Sequence, residues 1–391
     1  MADARFAARV VPSPPTLSGL VLGAGFSLTG AGTVMLGALL PVLSERWGMR
    51  DATAGVLFFL QFAGSASGAI LSGSNRVRSL TAGYALLVVS SCALALSGSS
   101  VPFAFYFFYG LGLGLAMTST SLLISDRAGD QQAPRLQGLN FVWSAGATAG
   151  PMLFVPFLRR GGIQSIFFVM MSLFLLLLAW VVFRERRQPA RSPVLKSQSP
   201  ISAPIGHLLP LLVLAACAVG IETSLSGWLT TYSHRSGLGS MAGAALATSL
   251  LWFGGMFSRL AFSTRLLARI GRRATLHASV WGVVASAAVL IAAPYPAVIL
   301  TVAAIAGLCI GPLYPLLLSF LLERSARGWI FAVAGIGAAF FPWLTGLLSS
   351  HFNSLRCGLI APCAAALLMA FLRPLALKPA TSVDSSASIP A

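Results

Sequence analysis

The sequence predicts an all-α polytopic membrane protein: twelve transmembrane helices in two pseudo-symmetric six-helix bundles. Three observations predict this. Of 391 residues, 57% are apolar and only 9% charged, with mean hydropathy +0.85, whereas a soluble domain carries about 25% charged residues. Apolar runs of about 20 residues, the length that spans hydrocarbon, recur between short polar breaks. No segment alternates apolar and polar residues over about 10 positions, as barrel strands do, which leaves helices to satisfy the backbone in lipid.

In order, the expected spans are 18–42, 54–72, 80–97, 102–124, 139–158, 163–183, 207–232, 241–266, 274–293, 297–322, 330–350 and 358–377. Each is bounded by charged residues or by Gly, Pro and Ser. Examples are Glu45 and Arg46 after the first, Arg159-Arg160-Gly161-Gly162 after the fifth, and Arg272 with Arg273 before the ninth. The first run is too long for a signal-peptide core and is read as an uncleaved helix. The resulting organisation is a cytoplasmic tail (1–17), an N-terminal bundle (18–183), a cytoplasmic linker (184–206), a C-terminal bundle (207–377) and a disordered tail (378–391).

Orientation follows from Lys and Arg in the short loops. One side carries 20 of the 26 basic residues and the other 6. Both termini are therefore expected in the cytoplasm of a cell with this protein in its inner membrane. The net charge of +17 then lies mostly against anionic inner-leaflet lipids, and no nucleic acid is implied. The five cysteines are scattered and lack metal-like spacing. No cofactor or metal is expected.

The two halves echo each other at an offset near 197 residues. Gly110-Leu-Gly-Leu-Gly114 in span four matches Gly307-Leu-Cys-Ile-Gly311 in span ten, and the basic turn at Arg76 and Arg78 matches that at Arg272 and Arg273. Parallel repeats of this kind are the arrangement of secondary transporters, with the site between the halves near the midplane. Here the chain resembles the major facilitator superfamily, from Leu17 to Leu377. Its most specific stretch is Arg269-Ile-Gly271-Arg272-Arg273, which fits the basic part of that superfamily's signature turn, with Ala268 at the acidic place. The turn after span two has Ser72 there. The resemblance implies that Arg76, Arg78, Arg269, Gly271, Arg272 and Arg273 form a cytoplasmic latch between the halves.

Further stretches resemble the fucose-permease-like sugar:proton symporters. They are Leu40 to Trp47, Leu139-Asn-Phe-Val-Trp143 through Gly150-Pro151, Gly220-Ile-Glu-Thr-Ser224 with Trp228, and Pro342-Trp343. The competing drug–proton antiporters place an Arg near the start of the Gly-rich stretch of span four, where this chain has Tyr106. Only Gly146 to Pro151 survives of their span-five pattern.

Nine acids are present, and Glu222 alone lies deep in a span. An ionised group there costs about 2.5–3.5 kcal/mol, so it is expected to face the cavity, to be paired or to carry a proton. It is the candidate proton-coupling and substrate-binding residue, against a structural role bonded to a neighbouring helix. Ser226 shares its helical face. Asn140, Trp143 and Ser144 form an i, i+3, i+4 group in span five, and Gln61 is the other large amide inside a span. An amide beside an indole suits a sugar ring, with hydroxyls on its rim and C–H groups on its faces. Trp228, Trp252, Tyr314 and Trp343 complete the candidate binding set, against packing or an interfacial aromatic belt. Arg259, inside span eight, either binds an anionic substrate or snorkels to the cytoplasm. Gly64-x-x-x-Gly68 and Gly146-x-x-x-Gly150 suit close helix contact.

No ATP-binding signature is present, and no His sits deep enough in a span to activate a nucleophile. The reading is a monomeric, proton-coupled secondary transporter of a small polar solute, a monosaccharide, working by alternating access and not an enzyme. The alternative is export of a drug-like or amphipathic metabolite.

Overall fold

The structure, a computed structural model, describes residues 19–73, 75–128, 132–185, 205–262, 269–293, 295–324 and 329–376. Its elements are α1 (Gly19–Trp47), α2 (Asp51–Leu71), α3 (Arg76–Leu96), α4 (Phe103–Ala128), α5 (Gln132–Glu185), α6 (Ile205–Arg235), α7 (Met241–Phe262), α8 (Arg272–Ala292), α9 (Pro296–Ile310), α10 (Leu313–Leu322), α11 (Trp329–His351), α12 (Leu355–Gly358) and α13 (Ile360–Ala376). Both expected tails and nearly all of the expected linker lie outside the described residues.

Among the described residues, eleven stretches are long and apolar enough to cross a membrane. The longest breaks at Gly161-Gly162, where Gly162 takes φ 65°, a backbone that side-chain-bearing residues rarely adopt. It therefore crosses twice, which makes twelve crossings. The expected tenth span is divided at Gly311-Pro312 into α9 and α10, because Pro312 and Pro315 bring no N–H to the helical ladder. The expected eighth span is described as far as Phe262, and 263–268 lie outside the described residues. Large apolar side chains such as Leu71, Phe108, Leu176, Ile336 and Phe371 stand exposed. In water such surface would be a liability; in lipid it meets its own kind.

Within the first six crossings, α2 packs on α4, α1 and α3 on α5, and α3 on α4; within the last six, α7 packs on α9, α6 on α11 and α13, and α8 on α9. Three pairs join the two sets: α2 with α11, α5 with α7, and α1 with α6. Glycines set these distances. A Cβ at Gly64 would overlap the Phe107 carbonyl, and one at Gly110 the Gln61 carbonyl. The same seam recurs between α7 and α9, where Gly254 faces the Ala304 carbonyl and Gly307 the Leu251 carbonyl. The repeat read from the sequence is thus a repeat of backbone contacts. Between the halves, a Cβ at Gly37 would lie 2.7 Å from Gly227 Cα.

Proline-freed carbonyls find partners across helices. Pro342 leaves the Ala338 carbonyl without its helical N–H, and Thr223 Oγ1 lies 3.3 Å from that oxygen. Trp228 Nε1 donates to the Pro342 carbonyl at 2.9 Å, and Ser224 and Thr345 hydroxyls pair at 2.6 Å. Polar side chains therefore hold α6 to α11, as expected where lipid supplies no hydrophobic drive between helices.

These contacts yield a matched prediction. Gly146→Val forces a side chain into the Ser27 carbonyl and is expected to cost at least about 2 kcal/mol, seen as loss of monodisperse protein in detergent and a lower Tm. Gly138→Ala, with nothing within 4 Å of the new Cβ, is expected to leave both unchanged.

Candidate functional site

Glu222 lies 17 residues into α6, about 25 Å along its axis. Its side chain is 14% exposed and faces Arg259 of α7, which is 17% exposed. The guanidinium is held from four directions. Nη2 donates to both Glu222 oxygens at 2.9 and 3.0 Å, Nη1 to Ser144 Oγ of α5 at 2.8 Å, and Nε to the Gly311 carbonyl at 3.3 Å. Pro315, four residues on, leaves that carbonyl without a helical donor. Arg259 also stands 5.8 Å from the ring centroid of Trp252, a cation–π separation. The side chain satisfies itself within the protein, so it does not snorkel. Its bonds tie α5, from the first half, to α6, α7 and the turn before α10.

Glu222 of this cluster also lines a cavity of about 180 Å³ between the halves. Gln61, Trp143, Glu222, Ser226 and Trp252 of the expected set line it, with Thr33, Phe58, Phe62, Met117 and Thr223. Trp143 and Trp252 meet edge to face at 5.1 Å. Gln61 Nε2 donates to the Thr33 carbonyl at 2.9 Å, whereas Gln61 Oε1, Trp143 Nε1 and Trp252 Nε1 have no hydrogen-bond partner within the protein. A buried unpaired polar group costs about 1–3 kcal/mol, and these two donors and one acceptor belong to residues that line the cavity. Phe58, Phe62 and Met117 add apolar faces.

The other expected residues lie elsewhere. Ser144 is fully buried under Arg259. Tyr314 of α10 is near enough to Glu222 to feel its charge but is not on the cavity wall. Asn140, one turn before Ser144, is exposed and away from the cavity. Trp228 is fully buried behind Phe58, rings 5.6 Å apart, with its N–H spent on Pro342. Trp343 turns toward Phe340 at 5.7 Å, and its carbonyl abuts Gly55. Phe58, Phe62 and Thr223 went unnoticed in the sequence, where an apolar or hydroxyl residue among many carries no distinguishing mark.

The basic turns behave differently from the expected latch. Arg76 Nε lies 3.9 Å from Asp126 on α4, and Arg272 pairs with Glu323 after α10 while stacking 4.9 Å over Phe320. Both pairs stay within one half. With Ser72 and Ala268 at the acidic places, these arginines turn to the nearest acid of their own bundle. Arg78 contributes its backbone N–H to the Asn75 cap, Gly271 opens α8 with φ 85°, and Arg269 and Arg273 are exposed. A wider bowl of about 520 Å³ opens beside Arg272, Arg273 and Arg324 at the surface.

The cross-half fastening is at the opposite end. Arg235, ending α6, forks onto Asp51, opening α2, at 2.7 Å through each nitrogen. Ser349 of α11 donates to the same carboxylate at 2.5 Å, and Ser350 Oγ accepts the Ala52 N–H at 2.6 Å. Asp51 is 9% exposed and Arg235 46%. Asp51 also sits in the first turn of its helix, where negative charge is favoured.

A model of the Major Facilitator Superfamily matches residues 22–328. The chain belongs to this superfamily. It is thereby a secondary transporter, an integral membrane protein that moves a small solute. The solved structure of the POT family transporter PepTSo is similar in fold, with a TM-score of 0.70 at 12% identity, covering 93% of this chain and 99% of that one. No curated protein matches. If transport proceeds by alternating access, as the sequence reading expects, a fastening that spans the halves at one end is an element the cycle has to open.

Asp51→Asn removes the charge from that fastening. Bonds to a charged group contribute about 1.5–3 kcal/mol, so the ratio of parted to closed ends is expected to rise about tenfold or more. Distances between spin labels on the loops after α1 and α6 read this directly. Ser350→Ala is expected to give a smaller shift in the same direction.

Proposed function

We propose that this carrier takes up a small polar solute of monosaccharide size together with protons, by rocking its two bundles about the central cavity. The observation that carries this is the trio of unpartnered polar atoms on Gln61, Trp143 and Trp252, set beside an ion-paired Glu222 in one mid-bundle cavity. The cavity's 180 Å³ is below the roughly 300–1,000 Å³ of drug-sized pockets, which favours a small solute over the alternative of a drug-like export substrate. Indole faces with free N–H groups beside an amide suit hydroxyls and C–H faces together. The four stretches that resemble fucose-permease-like symporters support the same direction.

In this reading Glu222 is the proton carrier. Protonation removes its charge from Arg259 and so loosens the link between α5 and α6–α7, the point where the halves meet in mid-bundle. The asymmetry of 20 basic residues to 6 supports cytoplasmic termini in the inner membrane, with the Asp51 fastening at the outer face and the basic turns against anionic lipid. The cavity is complete within one chain, which supports a working monomer.

Glu222→Gln is expected to abolish accumulation driven by an imposed pH gradient in proteoliposomes while leaving counterflow exchange. Unchanged accumulation would remove Glu222 from the coupling role. Gln61→Leu keeps the volume but deletes the unpartnered acceptor. It is expected to weaken solute binding about 5- to 100-fold, read from tryptophan fluorescence titration, without altering the coupling ratio.

A further inference from the structure

Among the described residues, two arginine–carboxylate pairs hold a largely buried carboxylate between helices, one with a half-exposed arginine and one with a largely buried arginine, and their geometries differ. At the Asp51 fastening, both terminal nitrogens of Arg235 face both oxygens, 2.7 Å each. This is the two-nitrogen fork in which arginine holds a carboxylate most firmly. At the centre, Nη2 of Arg259 alone serves both Glu222 oxygens, while Nη1 is turned to Ser144. Glu222 therefore does not make the fork that the guanidinium can offer. The central pair is the exchangeable one.

The charges around it narrow what can be exchanged. Glu222 and Arg259 cancel each other when both are ionised. If a proton neutralises Glu222 and the solute is uncharged, Arg259 is left buried without a counter-charge, and an unpaired buried charge is strongly unfavourable. If the solute brings one negative charge to Arg259, the cluster stays neutral with the proton aboard. The indole N–H groups of Trp143 and Trp252 add two unpartnered donors on the same wall. Among the buried side-chain atoms of the cavity-lining residues that have no partner, these two donors outnumber the one acceptor, Gln61 Oε1.

The geometry points to a hydroxylated monocarboxylate, a sugar acid, as the solute. Its carboxylate displaces Glu222 from Arg259, and the freed Glu222 carboxyl takes up the proton. This rests on the proton-coupled carrier reading above and narrows its solute. The step balances: one proton bonds to a Glu222 oxygen, one ion pair is exchanged for another, and no net charge enters the site. Among the described residues packed around Glu222, Arg259 of α7 and Tyr314 of α10 are the titratable neighbours. The cavity wall from α1, α2, α4 and α11 is neutral, with Thr33, Gln61, Met117 and Ala338.

The test uses the full chain in proteoliposomes and two matched pairs of probes, D-glucuronate with D-glucose and D-gluconate with sorbitol. The carboxylates are expected to accumulate on a pH gradient and to ignore an imposed membrane potential, because one proton and one anion move together. In detergent, their affinity is expected to rise about tenfold per unit fall in pH, since binding takes up one proton. Glu222→Gln is expected to bind them more tightly and with no pH dependence, a response that a merely structural Glu222 would not produce. Arg259→Lys keeps the charge without the planar fork and is expected to bind them at least tenfold more weakly. Accumulation of the neutral partners but not the acids, responsive to membrane potential, would overturn the sugar-acid inference and leave the proton-coupled reading standing. Failure of all four probes to accumulate on either gradient would count against both.

Discussion

The arrangement at the centre of this protein depends on one guanidinium. Arg259 is carried into the membrane on α7, where an unpaired charge is costly. The surroundings compensate it with a carboxylate, a hydroxyl, a proline-freed carbonyl and an indole face. Each comes from a different place in the chain. Whatever changes the charge on Glu222 is therefore felt at once by α5, α6, α7 and the turn before α10.

Prolines and glycines prepare the positions that this cluster uses. Pro315 exposes the Gly311 carbonyl to Arg259, as Pro342 exposes the Ala338 carbonyl to Thr223. Glycines let backbones touch within each bundle, and at Gly37 and Gly227 between bundles. Close backbone contact gives many small dispersion terms and few directional ones. Such a seam resists separation but offers little resistance to sliding, which suits rigid lobes that rock. Among the described residues, directional bonds between the halves gather at the Asp51 fork and the Arg259 cluster.

Much of the site was legible because a polar residue in an apolar run has few reasons to be there. Gln61 and Glu222 were expected on that ground, Ser226 and Trp143 from their helical spacing to a polar residue, and Trp252 as an aromatic candidate; all five line the cavity. Asn140, Trp228 and Trp343 were expected on the same grounds yet lie away from it. Sequence spacing specifies which residues share a helical face, but not how the helix is rotated about its axis. The latch expected at the basic turns was a matter of partners rather than position. The arginines are at the expected turns, but the acids they meet belong to their own half.

Composition and the length of the apolar runs determined the helical membrane class and the number of crossings, because hydrocarbon leaves the backbone few ways to satisfy itself, and the matched glycine and basic-turn motifs determined the repeat. The glycine spacing likewise marked the seams within each half. Tertiary structure alone decided that Arg259 meets Glu222 rather than water, and that Asp51 and Arg235, 184 residues apart, close one end of the molecule. Those choices depend on helix rotation and on contacts between distant segments, where a difference of a few ångströms separates an ion pair from an exposed charge.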